Sequence, residues 1–176
     1  APVWLVVAVA LRVDSPGPLL YRQQRVGLNG ERFALLKFRT MVDGSDDSVL
    51  AEHLEQLANA PDERLRIEVD PRVTTVGRFL RRWAIDELPN FWTVFSGHLS
   101  LVGPRPLVPE EVALLGPAGD LRTRVKPGIT GLAQVRGRDE ISLADRMAHD
   151  LEYVGKRSFG LDLAILLRTV PALRRR

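Results

Sequence analysis

Residues 81–92 read RRWAIDELPNFW and set two carboxylates, Asp86 and Glu87, side by side among apolar neighbours. An ionised carboxylate can attack a phosphorus atom, while a second beside it holds a divalent cation or acts as base. Pro89 is best tolerated in the first turn of a helix, which places both acids at the N-terminal end of a helix running through Phe91 and Phe95. Exposed N–H groups and the macrodipole favour negative charge there, whether it belongs to a side chain or to a bound phosphate. Simple capping, at about 0.3–1 kcal/mol per acid, explains the same two residues without any chemistry.

The rest of the composition narrows the choice. With no cysteine, disulfides and thiolate metal sites are excluded. His53, His98 and His149 lack metal-ligand spacing, so a histidine-based zinc centre is disfavoured. Hard oxygen donors without His or Cys suit Mg²⁺. The net charge is only +3, but it is unevenly spread: residues 42–70 carry nine acids against two bases, whereas residues 72–82 and 122–138 carry four and five bases and no acid. Basic blocks of this kind suit an anionic ligand, an anionic membrane surface or nucleic acid. The nucleic-acid reading fares worst, because the arginines are dispersed among Pro-Gly loops and no reader motif appears.

Elements that could position these residues follow from the pattern. At 176 residues the chain suits one domain. It opens with eleven apolar residues closed by Arg12, too short to span a bilayer, which takes about 20. That run reads either as a buried core helix or as part of a hydrophobic helix containing Pro2. The cluster DSPGP ends it. Next, GLNG at 27–30, between β-prone flanks, predicts a hairpin with Arg22, Arg25, Lys37 and Arg39 on its arms. Leu50, Leu54 and Leu57 predict a short amphipathic helix in the acidic segment. Val76, Phe79, Leu80 and Trp83 form a second helical stripe, and Leu88, Phe91, Trp92 and Phe95 a third. PRPLVPE and VKPGITGLAQVRG read as ordered loops, and SLADRMAHDLEYV and LDLAILLRTVPAL as two further helices. The fold class expected is α+β, mainly helical with one small β-hairpin.

Several separated motifs occur in one order: SPGPLLYRQQRVG, KFRTM, DELP, SLVGPRP, PGITG and LDLAILLRTV. Together they resemble the catalytic domain of the monotopic polyprenyl-phosphate phosphoglycosyl transferases, the bacterial sugar transferases that start glycoconjugate assembly. The match runs from about Pro2 to Val170. The resemblance implies transfer of a sugar 1-phosphate from a UDP-sugar to a polyprenyl (undecaprenyl) phosphate, releasing UMP, in two ping-pong steps. Asp86 matches the nucleophile that becomes phosphoglycosylated, Glu87 its dyad partner, and Mg²⁺ is implied near Asp86. Arg105 of GPRP matches an arginine contacting the donor phosphates or nucleotide. Lys37 and Arg39 match motif positions near the site, and strand period two would let both reach one phosphate. Arg81 is expected to pair with the dyad or a phosphate, and Gln134 and Arg138 fit the donor-side loop.

The resemblance also implies a membrane topology. Pro2 matches the break of a re-entrant helix, so residues 1–12 would be its returning half and residues 13–176 the catalytic domain. The protein would then sit on the bacterial inner (cytoplasmic) membrane with its site facing the cytoplasm; homo-oligomers are compatible with this, and no nucleic acid is called for. The chain departs from the family pattern at Ala133, Thr93 and His98, where Trp, Asn and Asp are common. A catalytically silent membrane scaffold and a nucleic-acid-binding module are the competing readings.

Overall fold

The computed structural model describes residues 2–44, 55, 59, 70–137 and 141–173. The helix expected around Leu50, Leu54 and Leu57, and Arg138, lie outside the described residues.

Helix α1 (Pro2–Asp14) turns Val7 and Leu11 onto Phe38 and Leu80, and Trp4 meets the Phe38 ring edge-on at 4.9 Å between centroids. Its other face leaves Val3, Leu5, Val6 and Val9 exposed. No helix among the described residues is long and apolar enough to cross a membrane. The DSPGP turn stops α1, and the Asp14 carboxylate accepts a hydrogen bond from the Val76 N–H at 3.2 Å, tying this end to the next helix.

Strands β1 (Leu20–Val26) and β2 (Arg32–Phe38) form the expected antiparallel hairpin, with Tyr21 opposite Lys37 and Val26 opposite Arg32. Asn29 takes the left-handed conformation in the turn (φ 54°), which Asn tolerates better than most residues. Phe33 and Leu35 are buried on one face of β2, packed with Leu99, Val94 and Ile129, and the period carries Lys37 to that same face. The period does not reach Arg39. The strand ends at Phe38, and the Arg39 guanidinium donates to the carbonyls of Ser15 (2.8 Å) and Pro16. Arg39 therefore braces the turn after α1 instead of joining Lys37, because a buried guanidinium takes the nearest unsatisfied carbonyls.

Helix α2 (Thr75–Arg82) is capped by Thr74, whose hydroxyl accepts from the Gly77 N–H at 3.0 Å. Helix α3 (Asn90–Phe95) follows after a short 3-10 turn at Ile85–Glu87. Both apolar stripes differ from the sequence expectation in which side faces inward. Val76 and Leu80 pack inward, but Phe79, Trp83, Phe91, Trp92 and Phe95 are exposed, and α3 buries Asn90 and Thr93 instead. Small and polar side chains let these short helices lie close to β2, which leaves the aromatics outside.

The stretches read as loops contain regular structure. Strands β3 (Ser100–Val102) and β4 (Gly128–Thr130) form a parallel pair; helices α4 (Pro109–Leu115) and α5 (Pro117–Arg122) lie between them in the chain, and α6 (Leu132–Arg136) follows β4. The two expected C-terminal helices, α7 (Leu143–Lys156) and α8 (Phe159–Leu173), cover this pair, burying Val102, Val125, Leu132, Tyr153 and Ile165 together. The architecture is α+β, with two small two-stranded sheets among the described residues.

Candidate active site

The acidic pair lies one turn before α3, and α3 has no side-chain cap. Capping is thus not what these acids do for that helix. The chain enters the turn through Ala84 in the left-handed region (φ 53°, ψ 24°), a conformation costing an L-residue about 1–2 kcal/mol. It then runs on i→i+3 bonds, Glu87 N–H to Ala84 carbonyl and Leu88 N–H to Ile85 carbonyl. Strain of this kind persists only where surrounding packing fixes it, and functional sites are where it concentrates.

Asp86 is buried at 7% exposure. Burial raises its pKa above the ordinary carboxylate range; Lys37 opposes that, Glu87 adds to it, and Arg81 also opposes it. Glu87 has a direct partner in Lys37, with Nζ to Oε1 at 3.4 Å. Burial lowers the Lys37 pKa, which Glu87 counteracts. Arg81 donates from Nε to the buried Thr40 hydroxyl at 2.8 Å and stays within the field of Asp86. Lysine and arginine from β2 and α2 thus lower the cost of keeping a buried carboxylate ionised.

Next to the pair is a small open cleft whose polar lining is Arg25, Lys37, Glu87, Asn90, Arg105 and Gln134. Asp86 itself does not line it. Three cations and one carboxylate line it; Arg25 also meets Glu111, outside the lining, at 3.5 Å and Lys37 meets Glu87, and the positive balance that remains suits an anion. Three of its buried polar atoms have no protein partner: Arg25 Nε, Asn90 Oδ1 and Gln134 Oε1. The other end of the Gln134 amide donates to the Ile129 carbonyl at 2.8 Å, which fixes the orientation of its oxygen. Arg25 has its pKa lowered to about 10, first by burial and then by Arg105 nearby.

Of the residues singled out from the sequence, Lys37, Glu87, Arg105 and Gln134 meet in this cleft, with Asp86 and Arg81 adjoining. Arg39 is used elsewhere. The sequence reading missed Arg25 and Asn90. Arg25 was visible as a base on a hairpin arm; nothing local marks Asn90, which follows Pro89 like any helix-start residue. At the departures from the family pattern, Thr93 and Ala133 are buried, and His98 stacks on Phe33 with ring centroids 6.2 Å apart.

Comparison with known proteins bears directly on this arrangement. The family model described as bacterial sugar transferase matches residues 1–176. The chain belongs to the bacterial sugar transferase family. Among relatives, the exopolysaccharide production protein ExoY of Sinorhizobium fredii is 39% identical over 176 residues, covering 98% of this chain and 77% of that protein. The undecaprenyl-phosphate galactose phosphotransferase of Salmonella typhimurium is 42% identical over 163 residues, 91% of this chain but 34% of its own length. The UDP-glucose:undecaprenyl-phosphate glucose-1-phosphate transferase of Escherichia coli is 39% identical over 178 residues, covering 97% and 36%. This bacterial sugar transferase chain therefore spans most of ExoY and about a third of the other two.

Proposed function

We propose that this protein transfers a sugar 1-phosphate from a UDP-sugar to a polyprenyl phosphate, in the first membrane step of exopolysaccharide or related glycan assembly. Family membership and the named relatives support that class of reaction. The observation that carries it at residue level is a buried carboxylate, Asp86, in the fields of Lys37 and Arg81 beside a cleft lined by three cations. In the first displacement an Asp86 oxygen attacks the phosphorus bearing the sugar, the bond from that phosphorus to the bridging oxygen breaks, and UMP leaves. In the second, a polyprenyl phosphate oxygen attacks the same phosphorus and frees the Asp86 carboxylate. Lys37, Arg25 and Arg105 offset the charge of the donor diphosphate, and Gln134 and Asn90 present polar atoms to the rest of the donor.

Magnesium fits these residues in a limited way. Among the described residues no group of three acids or histidines could hold a metal ion. Mg²⁺, however, is usually held by one or two carboxylates plus substrate phosphates. Asp86, with Glu87 next to it, would hold the ion, which would supply further neutralisation of the diphosphate. The apolar residues that α1 leaves exposed, Val3, Leu5, Val6 and Val9, support seating of that helix in the cytoplasmic leaflet as the returning half of a re-entrant hairpin.

The test is transfer of radiolabel from a panel of UDP-sugars to undecaprenyl phosphate, together with retention of label on the protein when acceptor is withheld. Label should appear on the wild type and be absent from Asp86→Asn. A protein that takes no label and makes no lipid-linked product from any donor would be a silent scaffold.

A further inference from the structure

Arg105 can read an anion only if its own backbone is held still, and the structure shows how the segment around it is fixed. Prolines stand on either side, so residues 104 and 106 contribute no N–H and have restricted φ. The four successive carbonyls of residues 104–107 are all engaged, by three separate parts of the chain: β4, the end of β1 and the end of α5. Pro104 accepts from the Gly128 N–H at 2.9 Å, and Leu107 from the Val26 N–H at 2.9 Å. Pro106 accepts from the Arg25 guanidinium at 3.1 Å. The carbonyl of Arg105 itself accepts from the Arg122 guanidinium.

Arg122 does not line the cleft. It lies at the end of α5, 5% exposed, and its Nε donates to Asp150 of α7 at 2.6 Å. Asp150 is 1% exposed, and its second oxygen has no partner. A buried ion pair of this kind is a weak source of net stability, since desolvation of both charges offsets most of their attraction. What it supplies here is direction. The forked guanidinium grips Asp150 with one nitrogen and the Arg105 carbonyl with another, a geometry that a lysine ammonium does not reproduce.

We propose that Arg122, anchored by Asp150, is a positioning residue: it fixes the main chain at Arg105 so that the Arg105 side chain is held toward a nucleoside diphosphate in the cleft. The inference rests on the reading of that cleft as the donor site, and the experiment separates the two.

Affinity for UDP is measured by calorimetry on the full chain for the wild type, Arg105→Ala, Arg122→Lys and the double variant, with melting temperatures alongside. Arg122→Lys keeps a cation against Asp150, so the fold is retained, but it loses the second arm of the fork. Arg122→Lys should weaken UDP binding at least fivefold with a melting temperature close to wild type, and Arg105→Ala at least tenfold. In the Arg105→Ala background, Arg122→Lys should cause less than a twofold further loss, because the residue it positions is gone. A second variant, Arg122→Gln with Asp150→Asn, removes both buried charges together and should show the same non-additivity. Losses that multiply in the double variants, or wild-type affinity in Arg122→Lys, would overturn the positioning role. A wild type that does not bind UDP would instead overturn the donor-site reading on which it rests.

Discussion

Gly77 should not tolerate alanine, although it sits in a helix, where alanine is normally preferred. In α2 a Cβ at position 77 would lie 2.1 Å from the Thr40 carbonyl oxygen and 2.8 and 2.9 Å from the Thr40 C and Cα atoms. These are backbone atoms and cannot swing aside. A carbon normally approaches a carbonyl oxygen no closer than about 3.3 Å, so α2 and the segment at Thr40, just after β2, must part by about 1 Å. Thr40 holds α2 at two points, its carbonyl accepting from the Thr74 N–H at 3.0 Å and its hydroxyl accepting from Arg81 at 2.8 Å. Moving it therefore shifts Arg81 and the turn that carries Asp86.

The magnitude follows from two opposing effects. Replacing a helical glycine by alanine ordinarily stabilises by about 0.5–1 kcal/mol, whereas overpacking a closed contact costs about 1–3 kcal/mol. Because the clash is with backbone, the upper half of that cost applies, and the net for Gly77→Ala is a loss of about 1–2.5 kcal/mol, or about 2–10 °C in melting temperature for a chain of this size. A displacement near 1 Å at catalytic groups costs about a hundredfold in rate, so activity should fall further than stability does. Gly155→Ala in α7 is the matched control, since a Cβ there meets no atom within 4 Å and helix preference should act alone. The assay is thermal melting with UDP-sugar transfer on both variants. If Gly77→Ala melted at or above wild type, or kept its transfer rate, the close approach to Thr40 would not be what fixes the turn.

Two further outcomes follow from the charges. The folded-state pKa of Asp86 lies above its unfolded value, so its ionised form is penalised: the group's contribution to stability is full below the unfolded carboxylate range and is lost as pH rises through the folded pKa. Asp86→Asn should therefore abolish transfer yet melt higher than wild type at neutral pH, with the gap closing in acid; equal melting across that range would mean that burial does not strain the carboxylate. Lys37 is the charge that most lowers the Asp86 pKa, so in Lys37→Met the acid limb of the kcat/KM profile should move to higher pH, and an unmoved limb would assign it to another group.

How much of this was legible in the chain depended on whether the deciding contacts were local. GLNG announced its hairpin, because a tight reversal needs residues that accept unusual backbone angles, and those are readable one at a time. DELP and PRP announced the acids and the arginine that the fold gathers around one cleft. The facing of the short helices was not legible. A period of 3.6 shows that Phe79, Trp83, Phe91 and Phe95 share sides of their helices, but which side is covered depends on the close approach of Gly77 to Thr40 and on the buried Thr93 of α3, neither of which a period reveals. Arg39 failed for a related reason: its fate was set by two carbonyls 23 and 24 residues earlier in the chain. Strands β3 and β4, three residues each, are too short to show any period.

The adjacency of Asp86 and Glu87 is explained by the turn type rather than by helix capping. In a 3-10 turn successive side chains diverge by about 120°, so neighbours in sequence are not neighbours in environment. One acid, Asp86, goes into the protein, where burial penalises its charge and Lys37 and Arg81 act on it electrostatically. The other, Glu87, reaches the cleft wall and takes the direct contact with Lys37. Two carboxylates set in different surroundings are a means of giving them different tasks. The left-handed Ala84 is what makes the arrangement possible, since it stops α2 and starts the turn within one residue. Had α2 simply continued, the pair would have been carried along its axis, and the lysine on β2 could not have served both acids.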